Sequence, residues 1–353
     1  MTILITGGAG FIGSNLANHF LGNGQKVIVY DNLARAGVAR NLEWLQKTHG
    51  EQNLTYLQRD IRDADAVAEA IAQADTIYHL AGQVAVTTSV NDPRSDFEVN
   101  ALGTFNVLEG IRRAGHKPTL IFTSTNKVYG GMENMVIEEQ ADRYIYRDYP
   151  NGVAESQPLD FHSPYGCSKG AADQYVRDYG RIYNIPTVVF RMSCIYGPRQ
   201  FGTEDQGWAA YFVIASLLGW PITIYGDGKQ VRDVLFVDDL VRAFVLATEN
   251  IQTTAGQVYN IGGGADHTIA IWREFGVILR DLVGFEVSVN FGDWRPGDQY
   301  VYISDSRKAE RDFGWKPQIS KLEGIERLLR WVQNNLDLFP NKKTPSGSVI
   351  AAV

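Results

Sequence analysis

TILITGGAGFIGSNLANHFLGNG, residues 2–24, decides the fold. Five residues of strand character run straight into Gly7, Gly10 and Gly13, and a helix-like segment follows with a glycine stop. Glycine at those positions lets a strand turn sharply into a helix and lets a ligand approach the helix N-terminus closely. The same rhythm recurs in KVIVYD (26–31), LTYLQ (54–58), TIYHLA (76–81), TLIFTS (119–124) and TVVFR (187–191), alternating with helix-length segments such as LGTFNVLEGIRRAG (102–115). Strands that alternate with helical crossovers predict a doubly wound, mostly parallel α/β sheet of the Rossmann type. Beyond about residue 192 glycine, proline and aromatic residues interrupt the pattern, and regular segments are expected at 207–218, 268–282 and 321–335. The reading is a dinucleotide domain over 1–191, a smaller interleaved substrate lobe over 192–335 with a strand near 257–262 returning to the main sheet, and a flexible tail at 341–353.

Composition narrows the function. The 353 residues are 44% apolar and carry 33 basic and 40 acidic side chains, a net charge of −7 with no basic stripe. Nucleic acid and anionic membrane are therefore not expected partners. Cys167 and Cys194 cannot form a disulfide framework, no run approaches a membrane span, and the chain reads as cytoplasmic. The six histidines show no ligand spacing, so no metal is expected. His79, inside an apolar strand, reads as a core histidine, His162 as helix-entry packing and Cys167 as packing.

G-x-x-G-x-x-G after a strand and before a helix is a dinucleotide signature, with Phe11 and Ile12 opening the helix under the pyrophosphate. Asp31 ends the second strand, where a carboxylate accepts from ribose hydroxyls and repels a 2′-phosphate, so NAD is preferred; neighbouring Arg35 leaves NADP open. Asn32 lies beside it. Asp60 and Ile61 after the third strand, and Leu80, Ala81 and Gln83 after the fourth, stand where adenine and nicotinamide ribose would lie; helix capping is the equal alternative for Asp60.

SPYGCSK (163–169) supplies a capping serine, a proline at the first helical position, and Tyr165 and Lys169 four apart on one helical face. A tyrosine of pKa about 10 becomes a base near neutrality only with about 4 kcal/mol of help, which a lysine ammonium and a nicotinamide cation could supply.

These motifs together resemble the extended short-chain dehydrogenases/reductases, over residues 1 to about 335. The resemblance implies that Thr125 hydrogen-bonds the reacting hydroxyl, that Tyr165 takes its proton, and that Lys169 holds the nicotinamide ribose. RMSCIYGPRQ (191–200), GDG (226–228) with Arg232-Asp233, and RPGD (295–298) resemble the family's nucleoside-diphosphate segments. Arg199, Arg232 and Arg295 are the implied arginines of that region, since a guanidinium grips phosphate with two hydrogen bonds. Cys194 stands where relatives often carry Asn.

Dehydratases of the family carry Asp-Glu after the catalytic Ser/Thr, an acid–base pair for eliminating water. Here Asn126 and Lys127 fill those places, which disfavours dehydration. The run from Leu159 to Tyr175 and the stretch GKQVRDVL (228–235) resemble the family's CDP-hexose 2-epimerase branch, implying oxidation at C2, turning of the 2-keto intermediate and reduction on its other face. Gln83, Thr87, Asn126 and Gln206 are candidate sugar contacts. The expected partner is a nucleoside-diphosphate sugar, with the base open among CDP, GDP, UDP and dTDP, and the expected assembly is a dimer or tetramer. Two alternatives remain open: a 4-epimerase using the same three residues, and a non-catalytic NAD-binding regulator.

Overall fold

The computed structural model describes residues 1–295 and 298–339. Seven parallel strands form its central sheet: β1 (Thr2–Thr6), β2 (Lys26–Tyr30), β3 (Leu54–Leu57), β4 (Thr76–His79), β5 (Thr119–Thr125), β6 (Thr187–Met192) and β7 (Gln257–Ile261). Their order is 3-2-1-4-5-6-7. Ile3 to Ile5 of β1 and Val27 to Tyr30 of β2 are unbroken apolar runs because both faces are covered. Ile3, Ile5, Val27 and Val29 enter one core layer, whereas Leu4, Ile28 and Tyr30 enter the other. That is the two-residue alternation of a strand.

The helices that cover the sheet are α1 (Phe11–Gly22), α2 (Val38–His49), α3 (Ala64–Ile71), α4 (Val86–Asn91), α5 (Pro93–Phe97), α6 (Gly103–Arg113) and α7 (Ser163–Tyr183), with the later helix Val237–Glu249 returning to pack on α1. The segment expected as one helix from residue 102 begins instead with a π-helical turn, Glu98–Leu102. The buried Asn100 in that turn is committed to hydrogen bonds with Gln83, Asp96 and Ser168, a constraint that apolar spacing does not register.

Beyond residue 192, α8 (Trp208–Leu218) is buried along most of its length and packs on the helix Lys321–Gln333. Strand Val231–Phe236 pairs with Cys194–Tyr196, Thr268–Ala270 and Val301–Tyr302. Helix α9 (Val237–Glu249) follows it directly. Residues 268–282, read as one regular segment, divide into strand Thr268–Ala270 and helix Phe275–Val283. Three residues suffice to extend the neighbouring strand, and backbone pairing there outweighs local spacing. The stretch 341–353 expected to be a flexible tail, and Pro296 and Gly297 of the RPGD motif, lie outside the described residues.

Strand order reverses between β1 and β4, and in open α/β sheets ligands bind outside the carboxyl ends of the strands at that point. The loops after β1, β4 and β5 all open there.

Candidate active site

The glycine loop is built by backbone contacts. Gly7 has φ +68°, and a Cβ on Gly13 would lie 2.2 Å from the Gly7 carbonyl oxygen, so no larger residue fits without moving backbone. A Cβ on Gly7 would meet the Ala81 nitrogen at 2.8 Å, which shows how closely the β1 and β4 loops approach. Helix α1 has no side-chain cap. Its first-turn N–H groups and its dipole are therefore suited to an anion such as a pyrophosphate. Asp31 accepts from the N–H of Ala9 (3.1 Å) and of Leu33 (2.9 Å), tying β2 to the glycine loop. Burial pushes its carboxyl up and these backbone bonds pull it back down.

Asp60 is neither the helix cap nor a free carboxylate. Asp63 caps α3 by accepting from the Ala66 N–H, while Asp60 is gripped by Arg62 and Asn32, its pKa held well below the carboxylate range chiefly by the Arg62 hydrogen bond. It thereby anchors Asn32 next to Asp31. Arg35 is exposed in the loop that follows β2.

Thr125, Tyr165 and Lys169 come together at the end of β5. Thr125 caps a 3₁₀ turn, its Oγ accepting from the Lys127 N–H at 3.2 Å, and it is hydrogen-bonded to the Tyr165 phenol. The Ser163 hydroxyl accepts from the Gly166 N–H (3.2 Å), and Ser89 accepts from the Tyr165 N–H (3.1 Å), fixing the start of α7. Burial pushes the Tyr165 phenol up to about 12; the Thr125 bond lowers it and the Asp96 charge raises it further. The Lys169 ammonium lies 4.3 Å from the centre of the Phe122 ring, and burial holds its pKa down at about 8 against the pull of Asp173 and Asp96.

Sequence reasoning missed the network beneath these residues. Asp96, 1% exposed, accepts from Ser168 (2.5 Å), Gln83 (3.0 Å) and Asn100 (3.1 Å). Ser168 adjoins Lys169 and could have been suspected, but Asp96 carries no local signal. Arg191, in a segment read as diphosphate-binding, is instead buried in a two-bond ion pair with Asp173 (2.9 Å each), one turn beyond Lys169.

The candidate substrate residues divide. Thr87 Oγ1 and Gln206 Oε1 are buried with no hydrogen-bond partner among the described residues. Asn126 follows Thr125 and accepts from its hydroxyl (3.3 Å). Arg232 is buried and paired with Asp298 (2.7 Å); Arg295 lies over the Tyr225 ring at 3.8 Å and pairs with Asp205 (3.3 Å). Two expectations are corrected. Both ends of the Gln83 amide are used within its own loop and by Asp96, which removes that side chain as a sugar contact. The Arg199 guanidinium lies 4.1 Å over Trp44 and 5.7 Å over Trp331, so it braces α2 against the C-terminal helix rather than meeting a phosphate. Cys194 is partly buried beside Arg232, Lys127 and Trp208, and burial raises its thiol, leaving it neutral at pH 7.

His79 bridges Thr6 (2.6 Å) and Thr104 (3.0 Å) in the core, its pKa down at about 3 through burial. His162 pairs with Asp160 at 2.8 Å at the entry to α7. Cys167 is exposed, not packed, because its position on α7 faces outward. Among the described residues no helix is long and apolar enough to cross a membrane, and no group of side chains could hold a metal ion.

A parallel sheet with a glycine-rich first turn and a threonine, tyrosine and lysine grouped at its carboxyl edge defines a class, and the family comparison agrees. Residues 4–328 match the family described as GDP-mannose 4,6 dehydratase, and the chain belongs to that epimerase–dehydratase family of extended short-chain dehydrogenases/reductases. Among individual proteins, it is 42% identical to the CDP-paratose 2-epimerase of Salmonella typhi over 95% of this chain and 100% of that one. The crystal structure of UDP-glucose 4-epimerase from Thermotoga maritima with UDP-glucose superposes with a TM-score of 0.81 at 31% identity, covering 95% and 100% of the two chains. The dTDP-glucose 4,6-dehydratase of Streptomyces venezuelae, solved with NAD bound, gives 0.82 at 31% identity, covering 96% and 98%.

Proposed function

We propose that the protein is an NAD-dependent nucleotide-sugar epimerase that inverts C2 of a nucleoside-diphosphate hexose, CDP-paratose being the favoured substrate. The observation that carries the reading is the meeting of Thr125, Tyr165 and Lys169 at the strand ends, with an amide and an ammonium at positions 126 and 127 in place of a dehydratase's two carboxyl groups. The similarity to CDP-paratose 2-epimerase supports C2 and the cytosine base.

NAD fits the residues present. Gly7 and Gly13 leave a cradle that a Cβ would fill, and with Gly10, Phe11 and Ile12 they would hold the pyrophosphate; Asp31, with Asn32, Asp60 and Ile61, would hold the adenosine side, and Leu80, Ala81 and Lys169 the nicotinamide side. Bound there, NAD supplies the reversible two-electron oxidation that inverting a carbinol requires. The chain's own residues manage the proton and the pose. Thr125 holds the carbinol oxygen, Tyr165 exchanges the hydroxyl proton, and Lys169, an ammonium below about pH 8, is the positive charge next to both. Arg232 and Arg295 hold the diphosphate side, and Thr87, Asn126 and Gln206 the sugar. No carboxylate follows Thr125 to drive loss of water.

A homo-oligomer in the cytoplasm completes the proposal. Phe97, Phe105, Tyr175 and Ile182 are exposed on neighbouring helices, with Phe105 and Tyr175 in ring contact at 6.0 Å, and both cysteines are free thiols. The second reading, a UDP-glucose 4-epimerase, is favoured by the likeness to the Thermotoga maritima enzyme.

The test follows CDP-paratose by NMR. Inversion at C2 is expected, with a C2 deuterium label retained in the product in ordinary water. Loss of the label at the rate of turnover would overturn the oxidation–reduction route, and inversion at C4 of UDP-glucose alone would select the second reading.

A further inference from the structure

Lys127 is unexplained by the roles assigned so far. It sits two residues after Thr125 on the 3₁₀ turn Asn126–Tyr129, and its backbone N–H is bonded to the Thr125 hydroxyl. Its side chain is partly buried, aimed into the lobe that carries Arg232. Its one described polar contact is the neutral amide oxygen of Gln299, at 3.4 Å, longer than an ordinary N–H···O bond. The Gln299 amide is itself anchored on the Gly130 carbonyl (2.7 Å).

The local charge does not balance. Asp298 is the nearby carboxylate, and it is already taken by Arg232 (2.7 Å) and by the Gln299 N–H (3.0 Å). Lys127 forms no ion pair among the described residues. Burial, and after it the Arg232 cation, hold its pKa down at about 8, with Asp298 and Cys194 pulling upward. A desolvated ammonium facing another cation is stabilised when an anion joins the site. The anion must fit between Arg232 and the turn that carries Thr125.

We propose, resting on the epimerase reading above, that Lys127 selects the reacting carbon by binding the phosphate attached to the anomeric carbon of the sugar nucleotide. The Cα atoms of Thr125 and Lys127 are at most about 7 Å apart, so the ammonium and the Thr125 hydroxyl are presented from one short turn. The C2 hydroxyl lies on the carbon next to the anomeric centre, whereas the C4 hydroxyl lies across the ring. A phosphate clamp on the same turn as Thr125 therefore presents C2. An uncharged residue at 127 leaves the diphosphate to Arg232 and Arg295, which do not share the Thr125 turn, and frees the sugar to turn.

The test uses the NAD-loaded protein and two ligands that differ by the phosphate in question, CDP and CMP. By calorimetry, Lys127→Met is expected to weaken CDP about ten- to hundredfold, the effect of losing a charge-assisted bond, and to leave CMP unchanged. Lys127→Arg keeps the charge and is expected to keep the CDP preference, which separates lost charge from misfolding. An unchanged ratio of CDP to CMP affinity in Lys127→Met overturns the phosphate contact. Product analysis tests selection itself: the ratio of C4 to C2 inversion should rise at least tenfold in Lys127→Met. A weakened CDP contact with inversion still confined to C2 overturns the selecting role. If UDP with UMP, or GDP with GDP's monophosphate, binds the parent better than the cytidine pair, the cytosine assignment fails while the diphosphate-to-monophosphate ratio still decides the role of Lys127.

Discussion

Replacing Asp173 with Asn separates the support of the catalytic helix from the chemistry it presents. Asp173 is fully buried and accepts two bonds from Arg191 at 2.9 Å, while Arg191 is 2% exposed and also donates to Tyr129 at 3.1 Å. An asparagine keeps one acceptor and turns an amino group toward a guanidinium N–H, leaving a buried cation without its counter-charge. Breaking such a pair by removing one partner costs about 3–5 kcal/mol. At roughly 2 °C per kcal/mol for a chain of this size, the melting temperature should fall by about 6–10 °C. The same change reaches Lys169, one turn earlier, because Asp173 is the largest charge holding that ammonium's pKa up against burial. Without it the Lys169 pKa drops below about 8. Activity that needs the ammonium is lost as pH rises through this pKa, so the alkaline limb of the pH–rate profile should move to lower pH. Thermal melts and a pH–rate profile check both. A melt within about 2 °C of the parent together with an unmoved alkaline limb would refute the reasoning.

Tyr165→Phe removes the hydroxyl but keeps the ring in its buried site, and turnover should fall about 10²- to 10⁴-fold with NAD still retained, as read from kinetics and from cofactor released on denaturation. Arg232→Ala should weaken binding of the nucleotide sugar about ten- to hundredfold, because the guanidinium is buried. Arg295→Ala should cost less than about tenfold, since that side chain is 31% exposed and already stacked on Tyr225; equal losses in titration calorimetry would contradict this ranking.

Much of this architecture was legible from linear pattern. Parallel strands buried on both faces must read as short apolar runs, and β1 to β7 fall on the runs identified from sequence within a residue or two at their ends. The glycine loop, Asp31 and the Tyr165–Lys169 pair were equally visible, since a turn between strand and helix, a strand terminus and a four-residue helical spacing are local properties. What tertiary structure decided is which of the polar residues are tied into the scaffold. Arg199 and Arg232 are both arginines of the segment after residue 192, yet one is stacked on two tryptophans and the other is buried beside Asp298. Gln83 was a plausible sugar contact until its amide met Asp96, from a helix with no local mark of function. Lys127 read as the absence of a carboxylate, and only the lobe folding over the β5 turn set its cation against Arg232. The physical reason is that secondary structure follows from propensity and periodicity along the chain, whereas the role of a polar side chain is set by the partners that distant segments bring to it in a desolvated site.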